Sequence, residues 1–176
     1  MTTTTNKSKI QLIFASDHAG FTCKEQLKDF IQNHEIAKEL ACVIDDVGTY
    51  SEESVDYPDF IHSAIRRRDE LVLENPHETI YCVIICGSGN GVSMTANKYP
   101  TIRAGLCWTP EIAQMARAHN NANVLSIPAR YVSDVESRKI LLTFLKTEFE
   151  GGRHQRRVGK IPISLEQSQK KETILP

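Results

Sequence analysis

The chain has 176 residues, of which 40% are hydrophobic and 24% charged, and its formal net charge is -1. This balance is typical of one globular domain with a sizeable core, and it gives no indication of a nucleic-acid-binding protein. No apolar run approaches the roughly 18 residues that a membrane span requires, so no membrane partner is expected.

The cysteines indicate a reducing compartment. Their number is odd, they are scattered among apolar residues, and no C-x-x-C motif pairs any of them: Cys23, Cys42, Cys82, Cys86 and Cys107. A zinc ribbon and a thioredoxin-type pair are therefore not indicated. Reduced thiols in the cytoplasm are the simplest interpretation.

The two ends of the chain differ from its middle. Residues 1–9 are rich in threonine without an apolar core, so we expect a disordered extension rather than a secretory signal. Residues 10–158 are expected to form one domain, and residues 159–176 a tail.

Strand and helix patterns alternate through the middle of the chain. In chain order we predict a strand at 10–15, a helix at 21–38, a strand at 41–47, a helix at 60–73, a strand at 79–86, a helix at 91–98, a strand at 102–108, a helix at 111–119, a strand at 122–127 and a helix at 133–147. Such alternation predicts an α/β fold, with a five-stranded parallel sheet and helices on both of its faces. Ligands in these folds bind at the carboxyl ends of the strands.

The third predicted strand ends in a cysteine and a glycine-rich turn. Cys86 is followed by Gly87, Ser88, Gly89, Asn90 and Gly91. Glycines leave backbone N–H groups accessible, and a helix start adds the positive end of its dipole, so the turn suits an anion. It is neither a P-loop nor a G-x-G-x-x-G motif, and a tight connection without function is an equal alternative. The adjacent thiol favours function, because the same donors stabilise a thiolate and an oxyanion formed on a substrate.

Two further polar positions follow predicted elements. Asp17 and His18 come directly after the first strand, either as a capping carboxylate beside a solvated histidine or as an orienting carboxylate and a proton-transferring or anion-binding histidine. His119 ends a predicted helix, where the dipole alone would stabilise it. Asn120 behind it either terminates the helix or contributes to a polar wall.

Basic residues near the end of the domain provide a candidate phosphate site. Arg153 and Arg157 belong either to a solvated tail or to one face of a helix, where residues four apart can bind a phosphate together. Arg130, after the last strand, could join them. These groups together indicate a phosphorylated small molecule as the substrate class. The sequence has no dense group of carboxylates and no His/Cys cluster with metal-ligand spacing, so we expect neither a metal nor another cofactor.

Six short blocks, in order, resemble the ribose-5-phosphate isomerase B family, which shares a superfamily with galactose-6-phosphate isomerase subunits. The blocks are SDHAG (16–20), DYP (56–58), ICGSGNG (85–91), TANK (95–98), AHNNANVL (118–125) and GGRHQRR (151–157). The resemblance implies a Rossmann-like three-layer sandwich and a homodimer, or a tetramer made of two dimers. It implies interconversion of D-ribose 5-phosphate and D-ribulose 5-phosphate in the non-oxidative pentose phosphate pathway.

The resemblance also implies roles for individual residues. Cys86 is the base, since Val92 stands where another branch of the family has a glutamate; His119 opens the sugar ring near Asp17, and Ser88 moves a proton between two substrate oxygens. His119, Asn120 and Arg130 are expected from a second subunit. The implied substrate-binding residues are Asp17, His18, Gly87, Ser88, Gly89, Asn90, Gly91, Asn120, Arg130, Arg153 and Arg157.

Three alternatives remain open on the sequence. The substrate could be a six-carbon sugar phosphate, such as allose 6-phosphate or galactose 6-phosphate. The chain could be a non-catalytic phosphate-sensing module on the same fold. A redox-sensing thiol is less favoured, because Cys82 lies four residues from Cys86 along a strand, about 13 Å away and too far for a disulfide.

Overall fold

The computed structural model describes residues 9–163. Residues 1–8 of the extension predicted over 1–9, and residues 164–176 of the tail predicted over 159–176, lie outside these residues. Ile161 and Ile163, at the start of the predicted tail, are exposed in the single chain.

Five parallel strands form one sheet. They are β1 (Ile10–Ser16), β2 (Cys42–Asp46), β3 (Thr79–Cys86), β4 (Ala104–Leu106) and β5 (Val124–Pro128). The spatial order is β2-β1-β3-β5-β4, with every neighbouring pair parallel. The predicted five-stranded parallel sheet is confirmed.

Helices cover both faces of this sheet. They are α1 (Phe21–Asn33), α2 (Glu35–Glu39), α3 (Tyr57–Glu74), α4 (Asn90–Ala96), α5 (Pro110–Asn120), α6 (Asp134–Lys146) and α7 (Arg153–Val158), and a 3-10 turn (His18–Gly20) joins β1 to α1. Among the described residues, no helix combines the length and apolar character needed to span a membrane.

The core consists of two apolar layers, one on each side of the sheet. Side chains of β3 alternate between them: Val83 and Ile85 pack with α1, α2, α5 and α6, whereas Ile84 and Cys86 pack with α3 and α4. This alternation follows from the two-residue period of a strand. The three-layer arrangement confirms the predicted fold class and turns Cys86 toward the α3–α4 layer.

Two helix starts are capped by the side chain of the residue that precedes them. Thr109 accepts a hydrogen bond from the Ile112 amide at the start of α5. Ser133 accepts one from the Glu136 amide at the start of α6. Both side chains satisfy N–H groups that a helix start leaves without an intrahelical partner.

Other boundaries differ from the prediction. The helix expected over 21–38 is divided at His34, whose backbone is extended and whose Nδ1 accepts the Ile36 amide at 3.1 Å, capping α2. Helix α3 begins three residues early, at Tyr57, with Pro58 in its first turn, and it continues through Arg66, Arg67 and Arg68 without interruption. Strand β4 has only three residues, fewer than the range 102–108 predicted, and it is an edge strand that pairs with β5 alone.

Candidate active site

The chain changes direction across the sheet between β1 and β3. These strands are neighbours, yet the connection after β1 leads to β2 on one side and the connections after β3 lead to β4 and β5 on the other. Such a switch point opens a crevice at the carboxyl ends of the strands. Asp17 and His18 follow β1 there, and Cys86 ends β3.

The two strand ends approach each other through their backbones. The Asp17 amide donates to the Ile85 carbonyl at 3.2 Å. A Cβ atom on Gly20 would lie 2.5 Å from the same Ile85 oxygen, which is a steric clash, so only glycine fits at this position. Gly20 is therefore required for the 3-10 turn to pack against the end of β3.

A cleft of about 290 Å³ occupies this crevice. It is lined by Asp17, His18, Ala19, Tyr57, Cys86, Gly87, Ser88, Gly91 and Arg130. Seven of these nine were singled out from the sequence as candidate site residues, and the fold brings them together from the ends of β1, β3 and β5. The cleft thus combines a thiol, a carboxylate, an imidazole and a guanidinium group.

Cys86 is nearly buried, and its sulfur faces a backbone donor. The Gly89 amide donates to Cys86 Sγ at 3.1 Å. Gly89 has a φ of 71°, in the left-handed region that favours glycine, and a Cβ there would lie 2.4 Å from Leu106 Cδ1. The glycine-rich turn therefore folds back so that an amide points at the thiol, a geometry that stabilises a thiolate.

The other four cysteines are placed in less reactive surroundings. Burial raises the pKa of Cys23 to about 11 and those of Cys82 and Cys107 to about 12, and it also raises the pKa of Cys42. All five cysteines lie within residues 9–163, and all five are free. The four thiols with a raised pKa are unsuited to act as nucleophile or base near neutral pH.

Asp17 and His18 both have defined hydrogen-bond partners. Asp17 Oδ1 accepts from the Gly20 amide at 2.9 Å, so this carboxylate caps the 3-10 turn as well as lining the cleft. His18 Nδ1 accepts from the Val55 amide at 3.3 Å. A neutral His18 ring must then carry its proton on Nε2, which makes that atom a donor.

Arg130 lies beside the glycine-rich turn of its own chain. Its amide donates to the Gly87 carbonyl at 3.0 Å. A Cβ on Gly87 would lie 3.1 Å from Arg130 Nε and 3.3 Å from Cζ. The expectation that Arg130 comes from a second subunit was wrong, because β5 pairs with β3 and its end lies next to Cys86.

Six predicted site residues do not line the cleft: Gly89 and Asn90 belong to the adjacent glycine-rich turn, and the other four lie elsewhere. His119 and Asn120 are at the end of α5, and Arg153 and Arg157 are both exposed on α7. The two arginines are one helical turn apart, as the spacing predicted. Within the single chain, these four residues do not line the cleft that contains Cys86.

His119 belongs to a separate cluster with Glu150 and His154. The two imidazole rings stack with centroids 4.2 Å apart and planes within 1° of parallel. Each Nε2 lies 3.7 Å from Glu150 Oε2. Burial and the charges of His119 and Arg153 lower the pKa of His154, so this ring favours the neutral form.

These ligand types also occur in zinc sites, and the three residues bring their ligand atoms within 4.8 Å of one another. Arg153 Nε donates to His154 Nε2 at 3.3 Å, which occupies the lone pair that a metal would need and places a cation beside it. A metal bound here would therefore have to displace the Arg153 donor from His154.

Tyr57 is a cleft residue that the sequence analysis did not identify. A Cβ on Gly91 would lie 2.6 Å from Tyr57 Cζ and 2.9 Å from its hydroxyl oxygen, so the ring packs directly on the turn. The DYP block contained a signal for this residue. Proline is common in the first turn of a helix, so Pro58 marks the start of α3 and places Tyr57 at the first residue of that helix. Glu150 and His154 were also missed, although His154 lies inside the GGRHQRR block.

Comparison with known proteins adds independent information. The family model described as Ribose/Galactose Isomerase matches residues 12–161. A probable ribose-5-phosphate isomerase B of Mycoplasma genitalium is 42% identical over 151 residues, covering 85% of this chain and 92% of that protein. The ribose-5-phosphate isomerase B of Escherichia coli K12 is 34% identical over 151 residues, covering 86% and 93%.

Solved structures agree with the sequence relatives. The ribose 5-phosphate isomerase of Thermotoga maritima has a TM-score of 0.74 at 41% identity, covering 86% of this chain and 97% of that one. A ribose-5-phosphate isomerase B of Mycoplasma genitalium with bound ribulose-5-phosphate has a TM-score of 0.74 at 37% identity, covering 94% and 99%.

Proposed function

The chain belongs to the ribose/galactose isomerase family, and we propose that it is an aldose–ketose isomerase that interconverts D-ribose 5-phosphate and D-ribulose 5-phosphate. The observation that carries the proposal is the position of Cys86, whose thiol faces an amide donor in a cleft that also contains His18 and Arg130. The reaction moves one hydrogen between adjacent carbons of the substrate. Oxidation at one carbon balances reduction at the other, so no external electron acceptor is needed.

The phosphate is bound by the basic side chains. Arg130 and the Nε2 donor of His18 lie in the same cleft as Cys86. Arg153 and Arg157, exposed on α7, complete the phosphate site from a second copy of the chain. Guanidinium groups suit this role, because their planar donors match phosphate oxygens in pairs.

The sugar ring opens with the help of His119, in reach of Asp17. The His119 of the same chain lies with Glu150 and His154 outside the cleft, so a second subunit must supply it. Asn120, the next residue along the chain, contacts the substrate from the same second subunit. This arrangement supports a homodimer with two shared sites, or a tetramer made of two such dimers, and it makes a monomer inactive.

Proton transfer centres on Cys86. As a thiolate it removes the C2 proton of the open-chain aldose, and the electrons of that C–H bond form the enediolate. Amides of the turn from Gly87 to Gly91 stabilise the negative charge, as preorganised donors do. The Ser88 hydroxyl moves a proton from the O2 side to O1, and Cys86 returns its proton to C1, giving the ketose and regenerating the thiolate.

Replacement of Cys86 by alanine tests this mechanism. In deuterated water, Cys86→Ala is expected to abolish exchange of the C2 proton of ribose 5-phosphate, while calorimetry still detects binding of the sugar phosphate. Cys82→Ala is the matched control, since Cys82 lies on the same strand and the same face and is fully buried. Full proton exchange in Cys86→Ala would rule out the thiol as base.

Substrate length and cell context complete the proposal. Side-by-side kinetics with ribose 5-phosphate and allose 6-phosphate decide between five- and six-carbon substrates, and we expect the five-carbon sugar to have the higher kcat/KM. The names of the relatives support this choice.

We assign the reaction to the non-oxidative pentose phosphate pathway. We assign the protein to the cytoplasm, and its five free thiols support this assignment.

A further inference from the structure

We propose that Ser126, a buried residue of β5, is a positioning residue that holds the Gly89 amide against the catalytic thiol. This inference rests on the proposed function only for its effect on turnover. Its structural part concerns the free protein. Ser126 lies outside the cleft and was not singled out in the sequence.

Ser126 is a polar residue inside an apolar layer. It has no solvent exposure, and in the sheet register it pairs with Ile84 of β3 and Leu106 of β4. Its side chain points to the same face as Ile84 and Val124, toward α4. A hydroxyl in such surroundings destabilises the fold unless it forms a hydrogen bond, and Ser126 Oγ donates to the Gly89 carbonyl at 2.7 Å.

The bond acts on the residue whose amide faces the thiol. Gly89 has a left-handed backbone, φ 71° and ψ -15°, and no side chain to restrict it. Its carbonyl receives the Ser126 hydroxyl and, at 3.2 Å, the Ser93 amide of the first turn of α4. Its own amide donates to Cys86 Sγ at 3.1 Å. Two donors on the carbonyl thus fix the orientation of the amide at the other end of the residue.

Loss of the hydroxyl would leave the Gly89 carbonyl with the Ser93 amide alone. The turn could then rotate, and its N–H would no longer be held toward the sulfur. A donor acts on a thiolate or enediolate most effectively when it is oriented before the charge develops. We therefore expect Ser126→Ala to lower kcat about tenfold, the effect of losing one hydrogen bond of ordinary strength, with KM changed less than about twofold.

Two measurements test this role. The first is steady-state kcat and KM for ribose 5-phosphate. The second is hydrogen exchange of the Gly89 amide by NMR in the substrate-free protein, where Ser126→Ala is expected to speed exchange about tenfold. Ser137→Ala is the matched control, because Ser137 is also a buried serine whose hydroxyl donates to a backbone carbonyl, that of Asp134 at 2.8 Å, in α6.

The outcomes separate this inference from the proposed function. Faster Gly89 exchange and lower kcat in Ser126→Ala, both absent from Ser137→Ala, support the positioning role. Exchange unchanged from wild type contradicts it, whether or not the wild-type protein isomerises the sugar. A wild-type protein without isomerase activity contradicts the proposed function, and the exchange comparison still decides the role of Ser126.

A second variant covers the case in which Ser126→Ala does not fold. Ser126→Cys keeps the shape of the side chain with a slightly larger terminal atom, and it replaces the hydroxyl by a weaker donor. It should change Gly89 exchange and kcat in the same direction by a smaller factor. Exchange equal to wild type in a folded Ser126→Cys protein contradicts the proposal.

Discussion

The backbone N–H of Val55 donates to Nδ1 of His18, across 3.3 Å and between residues 37 positions apart. The bond connects the loop before α3 to the 3-10 turn after β1. It also selects the tautomer of a neutral His18, because a nitrogen that accepts cannot carry the proton. Nε2 is consequently the donor that His18 offers in the cleft.

Amide replacements of His18 separate its two nitrogens. His18→Gln places an amide near the position of Nε2 and retains a donor for phosphate, whereas His18→Asn retains an acceptor near Nδ1 for Val55 and loses that donor. We expect KM for ribose 5-phosphate to rise about tenfold in His18→Asn and less in His18→Gln, since a charge-assisted bond to phosphate contributes about 1.5–3 kcal/mol. Equal KM values in both variants and wild type would exclude His18 from phosphate binding.

Mixing two inactive variants tests whether subunits share the site. A dimer of one Cys86→Ala chain and one His119→Asn chain contains one intact pair of Cys86 and His119 if each site uses both chains. Random assembly at equal amounts should then restore about a quarter of wild-type activity, because half of the dimers are mixed and each has one active site. The measurement is turnover after the two proteins are denatured and refolded together. Activity that stays at the level of the separate variants contradicts sharing.

Asp46 is expected to dominate the stability of the region next to the site. Lys24, whose side chain is fully buried, donates to Asp46 Oδ1 at 2.7 Å and Oδ2 at 2.5 Å, and Lys28 donates to the same carboxylate. Burial alone would raise the pKa of Asp46, but these bonds outweigh it and lower that pKa. Asp46→Asn leaves the buried ammonium group of Lys24 with Glu25, at 2.9 Å and partly exposed, as its remaining counter-charge. The free energy of unfolding, measured by urea denaturation, should therefore decrease by about 3 kcal/mol, the low end of the range for breaking a buried ion pair.

The neighbouring residue provides the control for that change. Asp45 forms an ion pair with Arg67 at 2.7 Å in which both side chains are about one third exposed. Solvent screens such a pair, so Asp45→Asn should lower the free energy of unfolding by less than about 1 kcal/mol. A similar decrease in the free energy of unfolding in both variants would show that the burial of Lys24 does not strengthen its interaction with Asp46.

His154 is expected to make the folded protein sensitive to mild acid. Its pKa is lowered by burial and by His119, Arg153 and Arg157, although Glu150 acts in the opposite sense. As pH falls below about 6.5, the unfolded chain therefore binds a proton at this position before the folded chain does, and stability decreases.

His154→Phe keeps an aromatic ring against His119 but cannot titrate. Its free energy of unfolding should decrease less than that of wild type between about pH 7.5 and pH 5.5, with urea denaturation as the measurement. His77→Gln, at an exposed position, should follow the wild-type profile. Parallel profiles for wild type and His154→Phe would show that His154 does not contribute to the acid sensitivity.

The sheet could be predicted because its strands are short apolar runs separated by helical patterns and capping residues. Thr109 and Ser133 show how local this information is, since each cap depends on a side chain and an amide three residues away. The division at His34 could not be predicted, because the helical spacing continues through it and the capping role of its ring depends on its rotamer.

The candidate site was predictable in its residues more than in its geometry. Cys86 and its glycines are adjacent in sequence, so their chemistry can be read directly. The position of Arg130 depends on the pairing of β5 with β3, which strand and helix patterns do not determine. The distance of His119 from the cleft likewise depends on tertiary packing, because α5 ends beside α7 rather than at the switch point.

The contact between Gly20 and the Ile85 carbonyl has a consequence for redesign of the cleft. Since the two strand ends meet through main-chain atoms, no exchange of side chains can move Asp17 and His18 away from Cys86 without disturbing the sheet. The reactive end of a longer sugar phosphate must therefore occupy the same position relative to the thiol. Engineering for longer substrates should begin instead with the arginines of α7, the part of the proposed phosphate site that lies outside the cleft of the single chain.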